Sequence, residues 1–367
     1  MWPFFSQPAD AQALYGAFTT QVMIPFDYSQ INARVPFTED VYTAVQIGTG
    51  STAMTYHPII DTGTCGMVVS ANGFPDWNAS DASTYPVGWE FLSSSKRLYS
   101  GHWVSKDIYF TNAEIEVKAR IPILAVEAVT ICPNYNETTD TEVCPTPANG
   151  PAPVVTPMPT GIQLMGVGFG REKDGQPQGT PDKNAFLNIQ TIDGIPVQCS
   201  SLFRSGYIIT KDGITVGLTA SNTAGMNFTK LSPRTNSTDS RDWSPVKCCM
   251  AVDEANCITG SALIDTGVAQ MYMTLPLGTT VNRSFPPLLD NGSAVYIQIG
   301  SEESVAAENF IVGDADGINS SVEPSSVRLT LADPLKNSPH VNTGRHFLRA
   351  WNIAFDAYGG FLGFGQV

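Results

Sequence analysis

The 367-residue sequence predicts an all-β protein with few short helices, folded as two lobes around a central cleft. Helical periodicity is scarce, and short β-rich runs bounded by Gly, Pro, Asn and Asp dominate. One motif, with its apolar surroundings, also occurs once in each half. A chain of this length buries a large core and is expected to divide, here into lobes at residues 1–200 and 201–367.

In chain order the β-rich runs are residues 41–47, 54–60, 103–110, 113–117, 206–210, 214–218, 271–275, 294–299 and 327–331. Ala113-Glu-Ile-Glu-Val alternates as a half-buried strand does. Asp212-Gly213 and Asn291-Gly292 are hairpin-turn signals, since both turn residues tolerate positive φ. Helix candidates are short, at residues 11–17, 183–191 and 343–350. Residues 145–160, rich in Pro and Thr, and 171–182 read as surface loops. The longest apolar stretch, 119–132, is interrupted by Arg120, Pro122 and Glu127 and falls short of a membrane span.

Charged residues make up only 15% of the chain and the formal charge is −14, with no basic run to offset it. Nucleic acid and anionic membrane surfaces are therefore excluded as main partners. Seven N-x-S/T sequons, at Asn78, Asn136, Asn227, Asn236, Asn282, Asn291 and Asn319, lie mostly in loop-like sequence and predict N-linked glycans. A secreted or secretory-pathway protein is expected, and seven cysteines agree with an oxidising compartment. Cys132 and Cys144 bracket a polar stretch that reads as a disulfide-closed loop. Cys199, Cys248, Cys249 and Cys257 allow two more bridges in any pairing, and Cys65 is left over. C-C-x7-C lacks the paired spacing of a zinc site, so no metal is expected. Met1-Trp-Pro-Phe-Phe lacks the basic and long apolar regions of a signal peptide and reads as the start of a mature chain.

The repeat is Ile59-Ile-Asp61-Thr-Gly63, which returns 204 positions later as Leu263-Ile-Asp265-Thr-Gly267. An apolar run follows each copy, Met67-Val-Val and then Met271-Tyr-Met. Further on come Leu164-Met-Gly166 and Val341-Asn-Thr-Gly344. A strand ending in D-T-G is expected to turn sharply at the glycine and leave the Asp projecting from the strand end. Two carboxyls brought close together cannot both ionise, so they share one proton over a wide pH range. The ionised member then draws a proton from water while the protonated member polarises a carbonyl.

At these residues the sequence resembles the pepsin-like aspartic proteases. Val41 to Gly48-Thr-Gly-Ser, then Met54 to Asp61-Thr-Gly, is similar to the family's opening strand and first active-site loop. Gly161 to Gly168 is similar to the segment threaded beside that loop, and Phe347 to Asp356 with Gly363-Phe-Gly365 to the closing elements. The resemblance implies a bilobal pepsin-like pair of β-barrels and a secreted acid endopeptidase that needs no cofactor. It also implies an extended peptide or other cleft-binding substrate, and a monomer. Asp61 and Asp265 would be the catalytic pair, Thr62 and Thr266 would interlock the two loops, and Gly63 and Gly267 would offer N–H groups to the carboxylates.

Four departures accompany the resemblance. A hydroxyl residue usually follows each D-T-G; Thr64 keeps it, whereas Val268 removes a donor from the second Asp, so Asp265 is expected to hold the proton and Asp61 to be the anion. Cys65 stands where a small hydroxyl residue is common and reads as a buried side chain. The flap segment lacks the usual Tyr-Gly pair, and Phe91, Tyr99 and Gly101 are its candidates. Arg345 replaces an acid after Gly344. Trp77, Trp89 and Trp103 are cleft-lining or core residues. Gly166-Val-Gly168-Phe-Gly170 has no following helix to make a dinucleotide site, and Asp314-Ala-Asp316-Gly is a surface turn rather than a calcium loop. Two rival readings keep the fold: an enzyme turned to a glycan or small metabolite, and an inactive binding module.

Overall fold

The computed structural model describes residues 10–30, 37–148, 150–171, 176–253, 256–281, 287–300, 303–314, 316–317 and 320–367. The protein is all-β, built from three sheets that form two curled lobes and the layer joining them. Eleven strands between Val45 and Pro196 form the first lobe, and seven between Val246 and Asn342 form the second. A six-stranded sheet joins Val22–Pro25 to strands that all lie beyond residue 200, ending with Trp351–Asp356 and Phe361–Gln366.

The repeat read in the sequence is also a repeat in space. In the first lobe Gln163–Val167 lies between Ile59–Asp61, to which it is parallel, and Cys65–Ser70, to which it is antiparallel. In the second lobe His340–Asn342 lies in the same way between Ile258–Leu263 and Met271–Pro276. Each D-T-G loop thus connects two strands held apart by a third that arrives much later in the chain.

Several elements differ from the sequence expectation. Residues 113–116 form a turn between the long strands Arg97–Phe110 and Val117–Ile131, and Ile115 is exposed. Val117–Ile131 is the apolar stretch interrupted by Pro122. Its neighbour Ile189–Ile192 ends opposite Ala119, and its parallel neighbour Cys65–Ser70 starts opposite Ile123. Pro122 falls in the gap between them, where its missing N–H breaks no ladder on that side. Residues 183–191 form 3-10 turns at Pro181–Lys183 and Ala185–Leu187, then the strand Ile189–Ile192. The Asn184 side chain caps the Phe186 N–H, and the Asn188 amide donates to the Pro181 and Asn184 carbonyls. Side chains thereby take the backbone bonds that a helix would have used. Residues 343–350 likewise give a 3-10 turn, Arg345–Arg349, and only Ala11–Tyr15 in the predicted segments is α-helical.

Cys132 and Cys144 are bridged, as are Cys249 and Cys257. The two further bridges open to the second cluster reduce to one, leaving Cys199, Cys248 and Cys65 as free thiols. Cys248 and Cys249 are consecutive in the strand Val246–Val252 and so point to opposite faces, one into the core and one toward Cys257.

The joining sheet fixes the back of the site. Tyr207 is fully buried, stacks on Phe355 and donates its hydroxyl to the Val167 carbonyl. Asn184 Nδ2 donates to the same carbonyl at 3.0 Å. Asp356, fully buried, accepts from Arg204 Nε and Nη2 at 3.1 and 2.9 Å and from the Tyr15 hydroxyl at 3.2 Å. Fully burying each large apolar side chain around this sheet contributes about 1.5–3 kcal/mol.

Candidate active site

The two D-T-G loops meet through their threonines. Thr62 Oγ1 donates to the Ile264 carbonyl at 2.6 Å and accepts from the Thr266 N–H at 3.0 Å. Thr266 Oγ1 returns the pattern, donating to the Ile60 carbonyl at 2.6 Å and accepting from the Thr62 N–H at 3.0 Å. Both threonines are buried, so these four bonds leave no water-facing alternative.

This contact brings Asp61 and Asp265 side by side, close enough to interact electrostatically, and each is only 6% exposed. Each aspartate accepts from its own loop, from the Gly63 N–H at 2.6 Å and the Gly267 N–H at 2.8 Å. The glycines have a further role that the sequence did not reveal. Neither has positive φ, so neither is required by the turn. Instead a Cβ on Gly63 would collide with the Asp265 carboxyl, and one on Gly267 with the Asp61 carboxyl. Each glycine makes room for the opposite acid.

The donors around the two aspartates differ from the expectation. Val268 does remove a hydroxyl, but Asn342 supplies the missing donor, with its Nδ2 2.5 Å from Asp265 Oδ2 and its Oδ1 accepting from the Gly344 N–H. In the matching place of the first lobe stands Leu164, registered with Ile59 as Asn342 is with Leu263. Thr64, expected to serve Asp61, is buried with no hydrogen-bond partner on its Oγ1 among the described residues. Burial, and then the Asp265 charge, push the Asp61 carboxyl well above the usual carboxylate range, against the Gly63 N–H and Arg171. Among the described residues Asp265 thus has one more side-chain donor than Asp61, and such a donor favours the charged form of the carboxyl that receives it. An Asn two positions before Gly344, where the other half has Leu, was the available signal.

The other candidates lie around this centre. Cys65 is buried; its N–H donates to Gln176 Oε1 at 3.0 Å and its thiol to the Thr180 carbonyl at 3.3 Å. Burial raises the thiol, which makes it a poor nucleophile. Arg345 is buried, pairs with Asp40 from the first half, and lies 3.5 Å from the Gly267 carbonyl. Phe91 stacks on Tyr135 at 4.4 Å in a cluster with Leu98 and Cys132, beside the disulfide loop. Tyr99 packs with Val68, Trp103 and Leu124, and its pairing partner in the hairpin is Glu90. Gly101 sits at a bulge so close to the Ala125 carbonyl that no Cβ fits. Trp103 donates from Nε1 to Gln178 Oε1 at 2.6 Å, and its ring edge covers Gly66. Trp77 stacks on Tyr85.

Sequence reasoning missed Glu90. It lies on the edge strand Val87–Leu92, is 5% exposed, and has no hydrogen-bond partner on either carboxyl oxygen among the described residues. Burial first, and the nearby Asp61 second, push it well above the usual carboxylate range, with Arg171 pulling the other way.

The sequon residues Asn78, Asn136, Asn227, Asn236 and Asn291 are exposed, while Asn282 and Asn319 lie outside the described residues, as does part of the Asp314–Asn319 turn. No helix among the described residues is long and apolar enough to cross a membrane.

No protein-family model matches the chain, and no curated protein matches it in sequence. Among solved structures, an aspartic proteinase from Irpex lacteus is similar over 95% of this chain and 98% of its own, at 12% identity and a TM-score of 0.49.

Proposed function

We propose that the chain is an aspartic-type hydrolase, an endopeptidase working at acid pH with Asp61 and Asp265 as its catalytic pair. The observation that supports the reading is the reciprocal threonine contact, beside which two buried carboxyls face each other's glycines, an arrangement suited to sharing one proton. Asp265, anionic and steadied by Gly267 and Asn342, draws a proton from a water molecule as that water attacks the carbonyl of an extended peptide. Asp61 donates its proton to the carbonyl oxygen as negative charge develops there. The tetrahedral intermediate then collapses as Asp265 passes the proton it took from water to the leaving amine and Asp61 takes one back from a hydroxyl of the intermediate, which returns the pair to its singly protonated state. No covalent intermediate forms.

Five exposed sequons and two disulfides support a glycoprotein of the secretory pathway, outside the reducing cytosol. The proposed form is a monomer.

The test is cleavage of a denatured protein substrate at acid pH, with and without a statine-type inhibitor, alongside Asp61→Asn and Asp265→Asn. Inhibitor-sensitive cleavage abolished by either substitution is the expected result. Folded wild-type protein that cleaves no peptide bond would overturn the reading and favour a binding module or a non-peptide substrate.

A further inference from the structure

Glu90 is an anomaly for a folded protein. A buried carboxyl normally has hydrogen-bond partners, because leaving it without them carries a desolvation penalty of about 1–3 kcal/mol even when neutral and more when charged. Among the described residues Glu90 has none, on a strand that is hydrogen-bonded on one side only, to Arg97–Phe110. That neighbour is itself fixed along its length by Val117–Ile131, so the piece free to peel away is the edge strand Val87–Leu92. Gln178 also ties the strand, its Oε1 accepting from the Trp89 N–H at 2.9 Å and its Nε2 donating to the Val87 carbonyl at 3.5 Å.

The groups facing Glu90 come from four elements: Asp61 at the end of Ile59–Asp61, Cys65 at the start of Cys65–Ser70, Tyr99 opposite it in the hairpin, and Arg171. Tyr99 and Cys65 are neutral under acid and neutral conditions, their burial raising both. Among the described residues Arg171 is the cation that bears on Glu90, and it bears on Asp61 as well. A second negative charge here would face the charge of the aspartate pair in a buried place.

We propose that Glu90 is a pH latch on the edge strand. With its carboxyl protonated the strand stays packed beside Asp61; with the proton lost the strand peels from its neighbour to hydrate the charge. Glu90 is then a positioning residue, closing the wall of the site under acid conditions and releasing it as the medium approaches neutrality. The latch belongs to the strand and holds whether or not the chain cleaves peptides.

Amide hydrogen exchange of residues 87–103, corrected for the intrinsic pH dependence of exchange, tests it in wild type, Glu90→Gln and Glu90→Leu. In wild type the opening constant of Trp89–Leu92 should rise with pH by up to about tenfold per unit, the slope of a single-proton linkage. In both variants, which cannot ionise, that slope should vanish. Variants that open more at every pH but keep the wild-type slope would show a packing role only and overturn the latch. A further control is Asp61→Asn, which should retain the slope; if it removes the slope while Glu90→Gln keeps it, the titrating group is Asp61 and the proposal falls. Glu90→Leu keeps the test decisive if the buried amide of Glu90→Gln perturbs folding. Absence of peptidase activity with the slope intact would count against the proposed reaction and leave the latch standing.

Discussion

Val268 and Asn342 form one exchange. The hydroxyl missing after the second D-T-G is replaced by an amide from a strand 77 residues away in sequence, delivered to Asp265 Oδ2 at 2.5 Å. A hydrogen bond to a charged acceptor contributes about 1.5–3 kcal/mol, so Asn342→Leu, which installs the residue found in the other lobe, should weaken the anionic form of Asp265 by that amount. The acid limb of the activity profile should move up by about one to two pH units. Val268→Thr in the wild-type background should change little, because the donor is already present, whereas the same substitution added to Asn342→Leu should recover part of the shift. Activity against pH for the three variants decides it, and a large effect of Val268→Thr alone would show that Asn342 is not the donor that matters. The aspartates themselves were legible because D-T-G between apolar runs is a local pattern that occurs twice. Asn342 and Glu90 were not, since the significance of each comes from partners brought in by strand pairing.

At the scale of elements, the loops are joined by bonds from threonine side chains to backbone. Thr62→Val leaves the Ile264 carbonyl and the Thr266 N–H buried without partners, and Thr266→Val does the same to Ile60 and Thr62. At about 1–3 kcal/mol for each orphaned group, either substitution should lower stability by roughly 2–6 kcal/mol. The double variant should lose less than the sum, because loops released by the first change no longer make the bonds removed by the second. Denaturant unfolding of the four proteins measures this, and strict additivity would mean that the loops hold their places independently. The elements the sequence misassigned each have a local cause. Val117–Ile131 lacks alternation because much of it is buried on both faces, and the turn at 113–116 alternates by coincidence in an exposed loop. The segment 183–191 has helical composition, but Asn184 and Asn188 take its backbone groups.

For the whole molecule, the buried acids set how stability depends on pH. Asp61 and Glu90 are both raised in the folded state, by burial first, from ordinary values of 3.8 and 4.5. Between those values and the raised ones the unfolded chain has released protons that the folded chain retains, so stability falls as pH rises through this interval. Asp27 and Asp239 act in the opposite sense. Ser29 and His57 lower the first and Arg241 the second, each against a desolvation that acts the other way, so their contribution is present above the ordinary carboxylate range and is lost as pH falls through it. Asp27 and Asp239 are partly exposed and solvent screens their interactions, whereas Asp61 and Glu90 have no such relief. The balance should therefore give a melting temperature that is highest in mildly acid solution and declines toward neutral pH. Glu90→Gln should flatten that decline by removing one of the two groups behind it, and Asp61→Asn by removing the other. Because the two carboxyls interact, the combined variant should flatten it by an amount different from the sum of the single effects. Calorimetric melting of the four proteins from pH 3 to 8 measures the slopes, and a wild type whose melting temperature climbs steadily toward neutrality would mean that neither acid is held protonated inside the fold.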